Sequence, residues 1–228
     1  MSRNLFITGT GTEIGKTYVA ALIVKTLHDA GMNVAYYKAA MSGNDRRPDG
    51  TLIPGDALFV KECAQISQSL DSMCPYVYEH AVSPHLASRL EGNPVRMEVV
   101  KVKFQELCRK YDYVVVEGSG GITCPVGYDE ERIQLEDIVR NLHLPSVMVA
   151  DAGLGTINGV VLTHAYMQQK GLPLKGIIFN NFHPGDVMEE DNRRMCEEMT
   201  GLSVLACIAK GDKVIHSLKA EGLAALFE

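Results

Sequence analysis

Leu5-Phe6-Ile7-Thr8, Gly9-Thr10-Gly11-Thr12-Glu13-Ile14-Gly15-Lys16-Thr17 and Tyr18-Val19-Ala20-Ala21-Leu22-Ile23-Val24 follow one another without interruption and decide the reading of this chain. An apolar run of strand length leads into a glycine-rich turn, and the turn opens onto a helical pattern. Such a turn cradles phosphate. Its glycines let the backbone curl so that the NH groups around Glu13, Ile14 and Gly15 face inward, and the helix N-terminus adds a positive field. Lys16 can then reach the terminal phosphates and Thr17 can ligate magnesium. Five residues separate Gly9 from Gly15, whereas strict Walker A spacing would place the first glycine at Thr10.

Outward from this segment, short apolar runs alternate with longer helical patterns, the signature of parallel strands joined by crossover helices. Strands are expected at Leu5 to Thr8, Val34 to Lys38, Tyr113 to Glu117, Ser146 to Ala150, Gly176 to Asn180 and Val204 to Ile208. Helices are expected near residues 16 to 29, 56 to 67, 98 to 109, 133 to 141, 156 to 169 and 187 to 199. Several strands are apolar on both faces, as a sheet covered on both sides requires. The expectation is a P-loop NTPase-like α/β fold, with a mostly parallel sheet flanked by helices on both faces, forming one domain over residues 1–228. Ser42 to Gly55, rich in Asp, Arg, Pro and Gly, reads as a long functional or mobile loop.

Bulk properties narrow the partners. A formal charge of −6 with scattered Lys and Arg provides no basic stripe, so nucleic acid is not expected as a partner. The six cysteines form no C-x-x-C pair and read as reduced, mostly buried thiols. No signal-like or membrane-length apolar run is present, so a soluble cytoplasmic protein without membrane attachment is expected. The histidines are dispersed and offer neither a metal pair nor a triad.

In open α/β sheets, ligands bind beyond the carboxyl ends of the strands, so the polar residues there are the ones to weigh. Lys38 ends the second strand; beside Lys16 it would stabilise charge developing in phosphoryl transfer, although a strand-end lysine also suits a solvated edge. Ser42-Gly43 lies within reach of the same place and equally suits a plain turn. Glu117 follows three valines and precedes Gly118-Ser119-Gly120-Gly121, resembling the acidic end of a Walker B strand. Magnesium would compensate the desolvation of that carboxylate, and the glycines let the backbone approach a nucleotide. Asp56 suits a helix N-cap as well as a second carboxylate on the metal. Asn180 ends the fifth strand, where its amide fits either a turn or the edge of a base. Thr156 fits a helix cap, while Gly155, Ile157 and Asn158 around it would present free NH groups to an anion such as a carboxylate.

Six markers, in this order and spacing, resemble the dethiobiotin synthetase family: Gly9 to Thr17, Tyr37-Lys38 with Ser42-Gly43, Gly55-Asp56-Ala57, Ser83-Pro84-His85, Val116-Glu117-Gly118-Ser119-Gly120-Gly121, and Leu154-Gly155-Thr156-Ile157-Asn158. The resemblance implies ATP-dependent carboxylation of 7,8-diaminononanoate with CO2 and closure of a ureido ring, giving dethiobiotin, ADP and phosphate. It implies Lys38 as the active-site lysine, with Lys16 assisting the phosphates. It further implies Thr17, Asp56 and Glu117 as the Mg2+ positions, and nucleotide contacts over Glu13 to Thr17, Glu117 to Gly120 and Asn180. Thr12 and Ser42 fall near the diamine and its carbamate. Gly155 to Asn158 would receive the substrate carboxylate from the other subunit of a homodimer. Two positions depart from the family's frequent pattern: Ala39 stands where proline is common, and Ala206-Cys207-Ile208-Ala209 replaces Gly-x-Ile-Pro beside the nucleotide base.

Two other readings compete. A cobyrinate amide-synthase-like ligase shares the loop type, but 228 residues leave no room for the glutaminase domain of such chains. A ParA or MinD-like regulatory NTPase would carry a signature lysine where Gly11 stands, and the segment Leu218 to Glu228 is not a basic amphipathic helix.

Overall fold

The computed structural model describes residues 2–227. In chain order its elements are β1 (Arg3–Gly9), α1 (Lys16–Asp29), β2 (Val34–Lys38), β3 (Ala40–Met41), α2 (Gly55–Ala64), α3 (Leu70–Met73), β4 (Tyr76–Val77), α4 (Pro84–Leu90), α5 (Met97–Cys108), β5 (Tyr113–Glu117), β6 (Pro125–Tyr128), β7 (Arg132–Gln134), α6 (Leu135–Asn141), β8 (Ser146–Asp151), α7 (Thr156–Gln169), β9 (Leu174–Asn180), α8 (Val187–Thr200), β10 (Val204–Ile208) and α9 (Ala220–Ala224).

Six strands form one sheet in the order β10-β9-β8-β1-β5-β2, and every pairing in it is parallel. The period of two in β1 explains its place between two helical layers. Leu5 and Ile7 face a core shared with Leu22 and Ile23 of α1, Val60 of α2 and Leu223 of α9. Phe6 faces the opposite core, with Val100 and Phe104 of α5 and Ile138 of α6. At the other end of the sheet, Met148, Ile177 and Phe179 pack with Val160 of α7 and Cys196 of α8. The expected α/β architecture is therefore the one observed.

All six expected strands and all six expected helices are present, with ends shifted by local chemistry. The helix expected to reach residue 67 stops at Ala64, because Gln65 takes a left-handed conformation with φ 55°. The helix expected from residue 133 begins at Leu135, since Arg132–Gln134 pairs with β6 as a hairpin; the Gln134 NH then donates to Asp137 Oδ2 at 2.8 Å. The segment Ser42 to Gly55 is largely loop, closed by a single bridge between Arg46 and Leu52. Only Cys74 and Cys196 are fully buried; the other four thiols are half-buried, fewer in the core than expected, and all six are free. Among the described residues, no helix is long and apolar enough to cross a membrane.

Candidate active site

The turn between β1 and α1 is locked from behind. Gly15, the residue before α1, has φ 88°, and a Cβ there would lie 2.0 Å from Asn180 Nδ2. That amide donates to the Ile14 carbonyl at 3.1 Å, so the end of β9 holds the loop in shape. Lys16 is buried and its Nζ donates to the Gly11 carbonyl at 2.7 Å. Burial lowers the Lys16 pKa to about 8, with the opposing pull of Glu117 too weak to restore it. The first-turn NH groups of α1 have no partner within the helix and point at the place where phosphate would sit.

Beside the turn, sheet register builds a charged cluster. Lys38, at the end of β2, lies directly opposite Glu117, at the end of β5. Lys38 Nζ donates to Glu117 Oε1 at 2.7 Å and to Asp56 Oδ2 at 2.6 Å. Burial opposes the Lys38 charge, but the two carboxylates outweigh it and hold the ammonium above its ordinary pKa. Thr17 donates its hydroxyl to Glu117 Oε1 at 2.8 Å, and Tyr36 donates to Oε2 at 2.8 Å. Asp56 is not a helix cap: Pro54 holds that position, and the Asp56 carboxylate turns to Lys38 instead. Gly118 passes so close to β1 that a Cβ would lie 2.7 Å from Phe6 Cζ, and the Ser119 hydroxyl donates to the Ala40 carbonyl at 2.7 Å.

The donor chemistry fits magnesium. Two carboxylates and a hydroxyl are hard oxygen donors, and magnesium in phosphoryl-transfer sites takes one or two carboxylates and leaves its remaining positions to phosphate and water. Among the described residues no cluster of three or more His, Cys, Asp or Glu could form an all-protein cage.

One cleft of about 880 Å³ brings together Thr12, Glu13, Gly15, Lys16, Thr17, Lys38, Ser42, Asp56, Glu117, Ser119 and Gly120. Ala81, Val82 and Cys124, which the sequence did not single out, complete its wall with Met41, Gly43, Ser83 and Pro84. Ile14, Gly118 and Asn180 lie outside this lining and shape it from behind. Gly155, Thr156 and Asn158 do not reach it; they line a separate depression of about 250 Å³ with Thr10 and Asp151. The Thr156 hydroxyl is buried there without a hydrogen-bond partner, and Gly155, not Thr156, precedes the helix, with φ 92°. Tyr36 was missed because Val-Ala-Tyr-Tyr-Lys reads as core filling. Its spacing of two from Lys38 on a strand was the available signal.

The chain matches a family model described as an AAA domain over residues 3–216. It is similar to the ATP-dependent dethiobiotin synthetase BioD of Brachyspira hyodysenteriae, with 47% identity over 100% of both chains. It is also 45% identical to the protein of the same name from Clostridium botulinum strain Langeland, over 94% of each. Among solved structures it resembles a ParA family ATPase from Chlorobium tepidum TLS, with a TM-score of 0.59 and 14% identity over 93% of this chain and 86% of that one. A second likeness is to the septum site-determining protein MinD complexed with Mg-ADP from Pyrococcus horikoshii OT3, with a TM-score of 0.53 and 14% identity over 99% of this chain and 94% of that one. At such identity the two structures speak for the P-loop NTPase fold and for nothing further.

Proposed function

This chain belongs to the ATP-dependent dethiobiotin synthetase family, and from that premise we propose how its residues divide the work. The enzyme is an ATP-dependent ligase that carries out the ring-closing step of biotin biosynthesis. One amine of 7,8-diaminononanoate takes up CO2 as a carbamate and releases a proton. A carbamate oxygen attacks the γ-phosphorus of ATP with release of ADP, and the neighbouring amine then attacks the mixed anhydride and expels phosphate, closing the ureido ring.

The observation that carries the assignment of residues is the meeting of Lys38, Asp56, Glu117 and Thr17 within hydrogen-bond distance, in the cleft that the phosphate loop also lines. Glu13 to Thr17 would hold the phosphates through backbone NH groups and Lys16. Lys38 would meet charge building on the transferred phosphoryl group and the carbamate. Thr17, Asp56 and Glu117 would hold Mg2+, which neutralises charge on the phosphates. Thr12 and Ser42 would orient the diamine end, Gly118 to Gly120 would let the nucleotide approach the backbone, and Asn180 would hold the phosphate loop in its shape.

A homodimer with shared sites is the assembly we favour. In one chain, the depression around Gly155 to Asn158 is separate from the main cleft. The buried, unpartnered Thr156 hydroxyl suits a carboxylate, and Leu154 in the lining of the depression stands 91% exposed, an apolar side chain that suits a second copy. The chain would work as one domain in the cytoplasm, where six free thiols stay reduced. The test is a product assay with diaminononanoate, bicarbonate and ATP: dethiobiotin and ADP should appear together. No dethiobiotin from folded protein, beside an active control enzyme, overturns the reading.

A further inference from the structure

Glu117 has two carboxylate oxygens with distinct duties. Oε1 accepts from Thr17 and Lys38, both of which line the cleft. Oε2 accepts from the Tyr36 hydroxyl at 2.8 Å, and Tyr36 is fully buried outside that lining. The register explains how one side chain reaches another across the sheet. Lys38 is opposite Glu117, and Tyr36 lies two residues earlier on the same face of β2, one strand step back but with a longer ring to span it.

Tyr36 is itself fixed. β2 is an edge strand, and its outward backbone groups at Tyr36 pair with a side chain instead of another strand. The Tyr36 NH donates to Gln68 Oε1 and Gln68 Nε2 donates to the Tyr36 carbonyl, both at 2.9 Å, with Gln68 buried. A phenylalanine would fill the same part of the core; the hydroxyl is what meets the carboxylate.

We propose that Tyr36 is a positioning residue of the metal–nucleotide site, whose hydroxyl anchors Glu117 Oε2 on the core side and so commits Oε1 to the cleft. This rests on the reading of Glu117 as a magnesium position. Outer partners of ligating groups typically change metal affinity ten- to a hundredfold when removed.

The experiment titrates ADP by calorimetry, with magnesium and with chelator, into the parent, Tyr36→Phe, Glu117→Gln and the double variant. In Tyr36→Phe the metal-free affinity should stay within about twofold of the parent, while the enhancement by magnesium should fall about tenfold. In the Glu117→Gln background the same change should have no further effect on that enhancement, because the group it orients is gone. A magnesium enhancement in Tyr36→Phe equal to the parent's overturns the proposal. So does an equal loss of metal-free and metal-dependent affinity, which would mean general damage to the fold, and so does a full Tyr36→Phe effect in the Glu117→Gln background. If Glu117→Gln alone keeps the whole enhancement, the magnesium assignment of Glu117 falls and takes the proposal with it. If Glu117→Gln loses it and Tyr36→Phe does not, only the role of Tyr36 falls.

Discussion

Lys38 and Lys16 are neighbouring cations held in opposite electrostatic states. Lys38 is bonded to two carboxylates and keeps its charge, whereas Lys16 rests on a carbonyl in a desolvated turn and holds its proton only up to about pH 8. Lys38→Ala should therefore lower kcat by about 10²–10³-fold, the usual loss for one donor to transition-state charge, and change ATP affinity far less. Steady-state turnover set beside equilibrium ATP binding checks this, and near-normal turnover would remove Lys38 from the chemistry. For Lys16 the sign follows from its lowered pKa. In the free protein its charge is lost as pH rises through about 8, so metal-free nucleotide affinity should weaken from pH 7 to pH 9. Phosphate contact restores the proton, so binding near pH 9 should take one up, seen by calorimetry in two buffers of different ionisation heat. A pH-independent affinity without proton uptake would contradict the buried, easily discharged lysine. Unfolding frees Lys16 to bind its proton again up to about 10.5, so this group makes the ligand-free fold more stable as pH climbs from about 8 toward that value. Lys16, Thr17, Lys38 and Glu117 were legible because motif spacing and strand ends mark them. Asp56 was not decided by sequence, since an acid before a helical run satisfies two chemistries; its ion pair with Lys38 decides against the cap.

Among the elements, α1 joins the fold to the site. Its buried side, including Leu22 and Ile23, packs on the sheet, while its N-terminus faces the cleft. Gly15 sets the junction, because only a glycine takes φ 88° without strain and leaves room for Asn180. Gly15→Ala should destabilise the protein by about 1–2 kcal/mol from the left-handed backbone alone, and more from the overlap. Removing the obstructing amide in a Gly15→Ala, Asn180→Ala double variant should relieve the overlap and leave the backbone strain, together with the loss of the Ile14 hydrogen bond that Asn180→Ala alone reports. Urea midpoints of the parent, the two single variants and the double variant at matched slope separate these parts, and a Gly15→Ala midpoint equal to the parent's would refute the lock. The long periodic elements were readable because each carries its own pattern: β1, β5 and α1 announce themselves by apolar period. β3, β4 and the β6–β7 hairpin were not, because two to four residues contain too few turns of any pattern, and their pairing comes from the surrounding packing.

At the scale of the whole molecule, one chain presents two separate clefts. The phosphate loop, Lys38 and the carboxylates share one cleft, whereas the start of α7 opens into another, with a buried hydroxyl lacking a partner and the exposed Leu154 in its lining. A diamine whose carboxylate sits at the far end of an aliphatic chain needs two anchors, and an isologous dimer would bring each cleft to the partner's helix start. The proposed pairing enters through the family resemblance, because nothing in the linear order of residues says which surfaces of two copies meet. The consequence is measurable by complementation. Lys38→Ala disables one half. Thr156→Val with Asn158→Asp should disable the other, by removing the hydroxyl and placing a negative charge where a carboxylate would bind. The second variant should raise the KM for the diamine strongly and leave ATP affinity unchanged, since its residues lie outside the nucleotide cleft. Each homodimer alone should be nearly inactive at low diamine. After subunit exchange, half the dimers of an equal mixture are mixed at random, and each mixed dimer has one site with both halves intact. Activity should therefore return to about a quarter of the parent's, because half the dimers each carry one working site of two. If mass measurement confirms exchange between folded parents and activity does not return, the shared-site model falls and each site is built within a single chain.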